Sequence, residues 1–221
     1  MTNFVFIAPP AAGKGTQSKY LVDKYDYIHI STGDLLREEI AKGTDLGIQI
    51  NEIISSGKLV DDNMVLNLLR NKLVYALESN KPIIIDGFPR TLNQADMLDK
   101  SFKELNVDNY KVIYMDLSFE DAKNRVLGRL ICSGCGKSYN DSIKSLMPRV
   151  DGICDECGKA LEKRTDDTEE TFKKRFDTYL ENTKPIIDFY HNKNVLINID
   201  ASKNAEDIFK DIETYVTEVK L

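Results

Sequence analysis

The apolar run Phe4-Val5-Phe6-Ile7-Ala8 leads straight into Pro9-Pro10-Ala11-Ala12-Gly13-Lys14-Gly15-Thr16. A strand that ends in a loop of small residues followed by Gly-Lys can build a phosphate cradle. Its backbone N–H groups turn inward onto oxyanions, the next helix offers its positive end, and the Lys reaches the outer phosphates. The strict phosphate-loop pattern has Gly where this chain has Ala8, and Ser or Thr where it has Gly15. The plain alternative is a Pro/Ala turn before a helix. A secretory leader is not expected, because no basic segment precedes the apolar run and Lys14 interrupts the residues beyond it.

The second candidate for chemistry is a set of thiols. The four cysteines form two C-x2-C pairs, Cys132/Cys135 and Cys154/Cys157, with 18 residues between them. That spacing matches a four-thiolate zinc knuckle, and Gly134, Gly136, Gly152 and Gly158 permit the tight turns it needs. Two disulfides or free thiols are the alternatives. A reducing, cytoplasmic location disfavours disulfides. With all four ligands protein thiols, a zinc ion there would be structural.

Two further segments place polar residues after β-rich runs. Ser31-Thr32-Gly33-Asp34-Leu35-Leu36-Arg37 starts with a helix N-cap, from either Ser31 or Thr32, and projects Arg37. Asp86-Gly87-Phe88-Pro89-Arg90 follows Ile83-Ile84-Ile85. An acid at the carboxyl end of such a strand, beside a phosphate loop, is placed to hold Mg2+ through water. Gly87 and Pro89 would turn Arg90 back over the same place. The chain has 22 Lys but only 8 Arg, which suits arginines reserved for planar, bidentate contacts.

These residues need a scaffold. A chain of 221 residues allows one sizeable core with a small appendage. The net charge is −6 and the pI about 5.1, so a general nucleic-acid surface is not expected. No apolar stretch approaches the ~20 residues of a membrane span. Continuous apolar runs at 3–8, 27–30, 82–86, 111–117 and 194–199 read as strands covered on both faces. Helical patterns at 16–25, 64–77, 91–98, 119–127, 167–191 and 204–219 separate them. The alternation predicts an α/β, doubly wound parallel sheet with the ligand at the carboxyl ends of its strands. Segments 31–63 and 128–166 break the alternation and read as two small inserted domains. They leave a discontinuous core of 1–30, 64–127 and 167–221.

Taken together, the loop ending Gly13-Lys14-Gly15-Thr16-Gln17, the segment Ser31–Arg37, the segment Asp86–Arg90 and the cysteine module resemble adenylate kinase, specifically the long bacterial-type form with a zinc-bearing lid. The resemblance covers essentially the whole chain. It implies a P-loop NTPase fold and the reaction MgATP + AMP ⇌ 2 ADP, with Mg2+ accompanying ATP and Zn2+ in the lid. It implies that Ala11, Ala12, Gly13, Lys14, Gly15 and Thr16 bind ATP phosphates. Thr32, Arg37, Lys58, Leu59, Val60, Gly87, Phe88, Pro89, Arg90 and Gln94 would form the AMP site, with Gln94 reading the adenine edge. Arg125, Arg129, Ser138, Tyr139 and Lys203 would contact ATP. Arg164 and Arg175 would bind phosphates, and Asp166 and Asp167 would close the lid. Lys14, Asp86, Arg90, Arg129, Arg164 and Arg175 would serve the transfer itself. Six of the eight arginines are then accounted for, leaving Arg70 and Arg149. Ala8, Ala11 and Ala201 depart from the family's usual Gly, which bears on loop geometry. His29 and His191 match no catalytic role.

No nucleophile–base set is needed, because phosphoryl transfer asks for alignment and positive charge. Closure of the two insertions would exclude water as a competing acceptor. The rival readings are a UMP or CMP kinase, a zinc-ribbon binding module on an NTPase core, and an NTP-binding switch without transferase activity. A monomer is expected, since no surplus apolar helix face stands out.

Overall fold

The computed structural model describes residues 1–55, 60–164 and 167–217. Strands β1 (Asn3–Ile7), β2 (Ile28–Ser31), β3 (Ile83–Asp86), β4 (Tyr110–Asp116) and β8 (Leu196–Asp200) form one parallel sheet in the order β2-β3-β1-β4-β8. Strands β5 (Arg129–Cys132), β6 (Ser138–Asn140) and β7 (Leu161–Glu162) form a separate antiparallel sheet in the order β6-β5-β7. The helices are α1 (Lys14–Tyr25), α2 (Thr32–Ala41), α3 (Asp45–Ser55), α4 (Asp62–Glu78), α5 (Leu92–Glu104), α6 (Phe119–Leu127), α7 (Glu169–Thr178), α8 (Ile186–Asn192) and α9 (Ala205–Glu213).

The central strands are largely apolar because each face of the main sheet has its own core. Along β1, Val5 and Ile7 point into one cluster and Phe4 and Phe6 into the other. Ile83 and Ile85 alternate with Ile84 in the same way, as do Val112 and Tyr114 with Ile113 and Met115. Burying one such side chain contributes about 1.5–3 kcal/mol relative to leaving it in water. The register then fixes where chemistry can happen. Phe6 and Ser31 both pair with Asp86, so the loops after β1, β2 and β3 leave the sheet at one edge.

All five core strands lie where the apolar runs predict them, within a residue or two. The segment 31–63 carries α2 and α3, and 128–166 carries the small sheet. The helix expected over 167–191 is not continuous. It is α7, a π turn at Tyr179–Thr183, then α8. Pro185 causes the break, because it has no N–H to continue the ladder. The N–H of Lys184 instead reaches back five residues to the Tyr179 carbonyl at 2.9 Å. The turn has a use: Thr183 Oγ1 donates to the Arg90 carbonyl at 3.1 Å.

Candidate active site

The phosphate loop closes through its own backbone. Gly13, at φ 95°, caps α1, and its carbonyl accepts from the N–H groups of Thr16 (3.0 Å) and Gln17 (3.1 Å). Ala11 holds φ 60°, a left-handed conformation that costs an L-residue roughly 1–2 kcal/mol. Its methyl and that of Ala8 pack against the apolar cluster beneath the loop. The two departures from Gly are therefore absorbed by the core. Ala201 is likewise fully buried, with its N–H on the Asp116 carbonyl at 2.9 Å.

Lys14 starts α1 with its Nζ 3.7 Å from Asp86 Oδ1. Burial lowers the proton affinity of this ammonium. Asp86 opposes that, while Arg90, Arg175 and Arg129 add to it. Burial works to raise the Asp86 carboxyl, but Lys14, His29 and Arg90 outweigh it and hold it below the ordinary carboxylate value. Asp86 is therefore a hard anionic oxygen donor at neutral pH, and fits the role of a group that holds Mg2+.

Around this pair the chain supplies cations from separate elements. Arg90 donates through Nε to the Gly87 carbonyl at 2.8 Å, which bends it back over the strand ends. Gly87 sits at φ 86°, and a Cβ there would lie 2.5 Å from Thr32 Oγ1, so the turn admits only glycine. Thr32 Oγ1 donates to the Asp86 carbonyl at 3.3 Å. Phe88 anchors the turn in the core, and its peptide bond to Pro89 is cis. Ser31, not Thr32, caps α2, accepting from Asp34 N at 3.3 Å, and Arg37 pairs with Asp34. Arg129 makes a two-pronged pair with Asp167, its Nε 2.7 Å from Oδ2. Val60 is buried in the core on one side of β1. Lys58, Leu59 and Asp166 lie outside the described residues.

Toward the small sheet, Arg125 borders a cavity of about 440 Å³ shared with Asn124, Ser142, Ile143 and Ser202. Its Nη2 lies 3.5 Å from the Ser202 carbonyl. Lys203, next in sequence, pairs with Asp211 at 2.8 Å. A wider groove between α1 and α9, lined by Tyr20, Lys24, Phe209 and Lys210, contains none of the predicted site residues.

The adenylate kinase family model matches residues 6–195. The chain is 42% identical over 208 residues to the adenylate kinase of Fervidobacterium nodosum, covering 94% of each chain. It is 41% identical over 218 residues to that of Archaeoglobus fulgidus, covering 99% of each. With the adenylate kinase of Clostridium novyi it shares 37% over 212 residues, 96% of this chain and 97% of that one. The chain belongs to the adenylate kinase family. Its activity is that of a nucleoside monophosphate kinase, which converts ATP and AMP into two ADP, and the family uses Mg2+ with ATP.

The thiols of this family member converge. The Sγ atoms of Cys132, Cys135, Cys154 and Cys157 lie within 4.8 Å of one another. Cys132 and Cys157 are 3.3 Å apart, and Cys135 and Cys154 are 3.6 Å apart. Four sulfurs about 2.3 Å from a tetrahedral zinc lie about 3.8 Å from each other, so the donor set fits that ion. All four cysteines are unbridged. The Cys135 and Gly134 N–H groups point at Cys132 Sγ and lower its thiol. Burial opposes ionisation of Cys154, but the Tyr139 hydroxyl and the N–H groups of Cys157 and Glu156 bring it down to about 6.

Here the structure adds to what the residues predicted. Tyr139, expected to meet ATP, is buried with its hydroxyl 3.5 Å from Cys154 Sγ and accepting from Asp155 N at 2.8 Å. Its ring belongs to the cysteine module, and the exposed Ser138 beside it is the member of the pair that faces out. His29, given no role from sequence, has its Nε2 3.8 Å from Asp86 Oδ2, with no hydrogen-bond partner among the described residues. Its position two residues before the Ser31 cap, and so on the same face of β2 as Ser31, was the available signal.

Proposed function

We propose that this site runs MgATP + AMP ⇌ 2 ADP by in-line transfer, with the phosphate loop under ATP and the Thr32–Arg37 and Gly87–Gln94 segments around AMP. An oxygen of the AMP phosphate attacks the γ-phosphorus of ATP. The bond from that phosphorus to the β,γ-bridging oxygen breaks, and ADP leaves. Lys14, Arg90, Arg129, Arg164 and Arg175 balance charge on the transferring group. One observation carries the reading: Lys14 lies close enough to Arg90, Arg129 and Arg175 that all three lower its proton affinity. Asp86 already sits against Lys14, and a phosphate is a further anion that cations from these separate elements can hold. An incoming phosphate reverses the effect and holds the proton on Nζ.

Magnesium would be held by Asp86 together with the ATP phosphates, and adds charge neutralisation there. Zinc would be held by the four cysteines and would keep the segment 128–166 rigid. That segment closes over ATP and the segment 31–63 over AMP, so water is excluded before transfer. The chain acts as a monomer in the cytoplasm. Among the described residues no helix is long and apolar enough to cross a membrane.

A coupled assay for ADP tests this. ATP, Mg2+ and AMP together should yield two ADP per turnover, with AMP preferred over CMP, UMP and GMP. Arg90→Ala should lower the rate about 10²-fold or more, the scale for loss of a charge-stabilising group. ADP formation that does not require AMP would overturn the reading.

A further inference from the structure

The Gln94 side chain, almost fully buried, is gripped from two sides. Its Oε1 accepts from the backbone N–H of Arg90 at 2.7 Å. Its Nε2 donates to Asp62 Oδ1 at 2.6 Å, and the other Asp62 oxygen accepts from Asn93 Nδ2 at 2.6 Å. A backbone N–H can only donate and a carboxylate can only accept. A flipped amide would set N–H against N–H and oxygen against carboxylate, losing both bonds. Only one orientation survives.

An amide has two N–H donors and two acceptor positions on its oxygen. The protein uses one of each, leaving one donor and one acceptor side by side. That free edge matches a base presenting an amino N–H next to an unprotonated ring nitrogen, as adenine does. It is mismatched to a base presenting a carbonyl oxygen next to a ring N–H, as in hypoxanthine, guanine and uracil. We propose that Asp62 is the positioning residue for base selection: its carboxylate locks the Gln94 amide in the orientation that accepts 6-amino purines and rejects 6-oxo purines. The proposal rests on the reading of Gln94 as the residue that meets the AMP base.

Asp62 is free for this task. Asp61 is the N-cap of α4, accepting from Asn63 N at 3.0 Å and Met64 N at 3.1 Å, so capping does not consume the neighbouring carboxylate. Asp62 also stands where the segment 31–63 returns to the core. The lock therefore joins the AMP-side insertion to α5.

The test compares kcat and KM for AMP and for inosine 5′-monophosphate at saturating MgATP. In Asp62→Ala, KM for AMP should rise about tenfold and the preference for AMP over the inosine nucleotide should fall about tenfold, the scale of one charge-assisted hydrogen bond. Its kcat with AMP and its KM for ATP should stay near wild type. Asp62→Asn should retain the preference, because its side-chain oxygen can accept the same bond. Melting curves check folding, and Asp62→Leu replaces Asp62→Ala if the latter is unstable. Gln94→Leu runs in parallel. If it abolishes the preference while Asp62→Ala and Asp62→Leu keep it, Asp62 is not the lock. If Gln94→Leu leaves the preference intact, Gln94 does not read the base, and both the lock and the reading beneath it fail.

Discussion

The main sheet and the small sheet solve the same problem with different means. On the main sheet, two apolar clusters enclose the central strands, and Phe4, Val5, Ile83, Ile84 and Ile85 are wholly buried. Among the described residues the core of the small sheet is Leu130, Cys132, Tyr139 and Cys154, with Leu161 against them, while Met147, Val150 and Ile153 stay exposed. A core that size does not offset the entropy of ordering its own chain. The difference shows where each region can carry function. The large core of the main sheet accommodates a half-buried ammonium and a left-handed alanine at the phosphate loop. The small sheet has so little core that a metal bridging its four converged sulfurs would supply much of its rigidity.

The sharpest way to break that contrast is Lys14→Ala. If the core carries the loop, kcat should fall about 10²–10³-fold while the melting temperature holds, because partial burial and the nearby arginines already offset what Lys14 gains from Asp86. A marked drop in melting temperature would mean that the Lys14–Asp86 pair supports the fold itself.

Metal removal probes the other side. Chelation, or Cys154→Ser, should expose 128–166 to protease and lower the melting temperature by several degrees, in line with about 2–4 °C per kcal/mol for a chain this long. The initial rate at low temperature should fall less than in Lys14→Ala. Equal loss of rate in a folded, metal-free protein would erase the distinction between the two regions. A smaller version of this test is Tyr139→Phe. It deletes only the hydroxyl between Cys154 Sγ and Asp155 N. It should speed metal loss to a competing chelator about tenfold or more, the usual scale for a partner that orients a metal ligand. Unchanged metal release would make the hydroxyl a packing detail.

What could be read from the residues divides along similar lines. The central strands were legible because burial on both faces writes a nearly continuous apolar run, and the edge strands because isoleucines and leucine recur in a short β-rich stretch. The cysteine module was legible because metal geometry fixes ligand spacing. The break at Pro185 was missed, since the apolar pattern over 167–191 reads as one helix, and the π turn depends on which carbonyl Lys184 can reach. Side-chain partnerships across elements were hidden. The approach of His29 to Asp86 depends on the β2–β3 register, and the bond from Asp62 to Gln94 on how α4 meets α5. The tolerance of Ala11 for φ 60° depends on apolar surface beneath the loop, supplied by residues far away in sequence.

The smallest expected effect concerns a charge on the core side. Asp99 on α5 accepts from Lys193 Nζ at 2.7 Å and from the Tyr110 hydroxyl at 3.1 Å, tying α5 to β4 and to the end of α8. Burial pushes its carboxyl up, but the bonds from Lys193, Lys103 and Tyr110 outweigh this and leave it below 3.8. A carboxyl lowered on folding adds stability that is fully present above its unfolded value and disappears as pH falls through its folded value. Asp99→Asn should therefore cost about 1 kcal/mol at pH 7, read as a drop of about 2–4 °C in melting temperature. The gap from wild type should narrow below about pH 4 and close in stronger acid. Activity should not change, since Asp99 lies on α5 away from the phosphate loop. If the core owes its stability to burial, even this well-partnered carboxylate stays a minor contributor. A loss of many degrees at pH 7 would show that the ionic network, and not the two apolar clusters, fixes α5 in place.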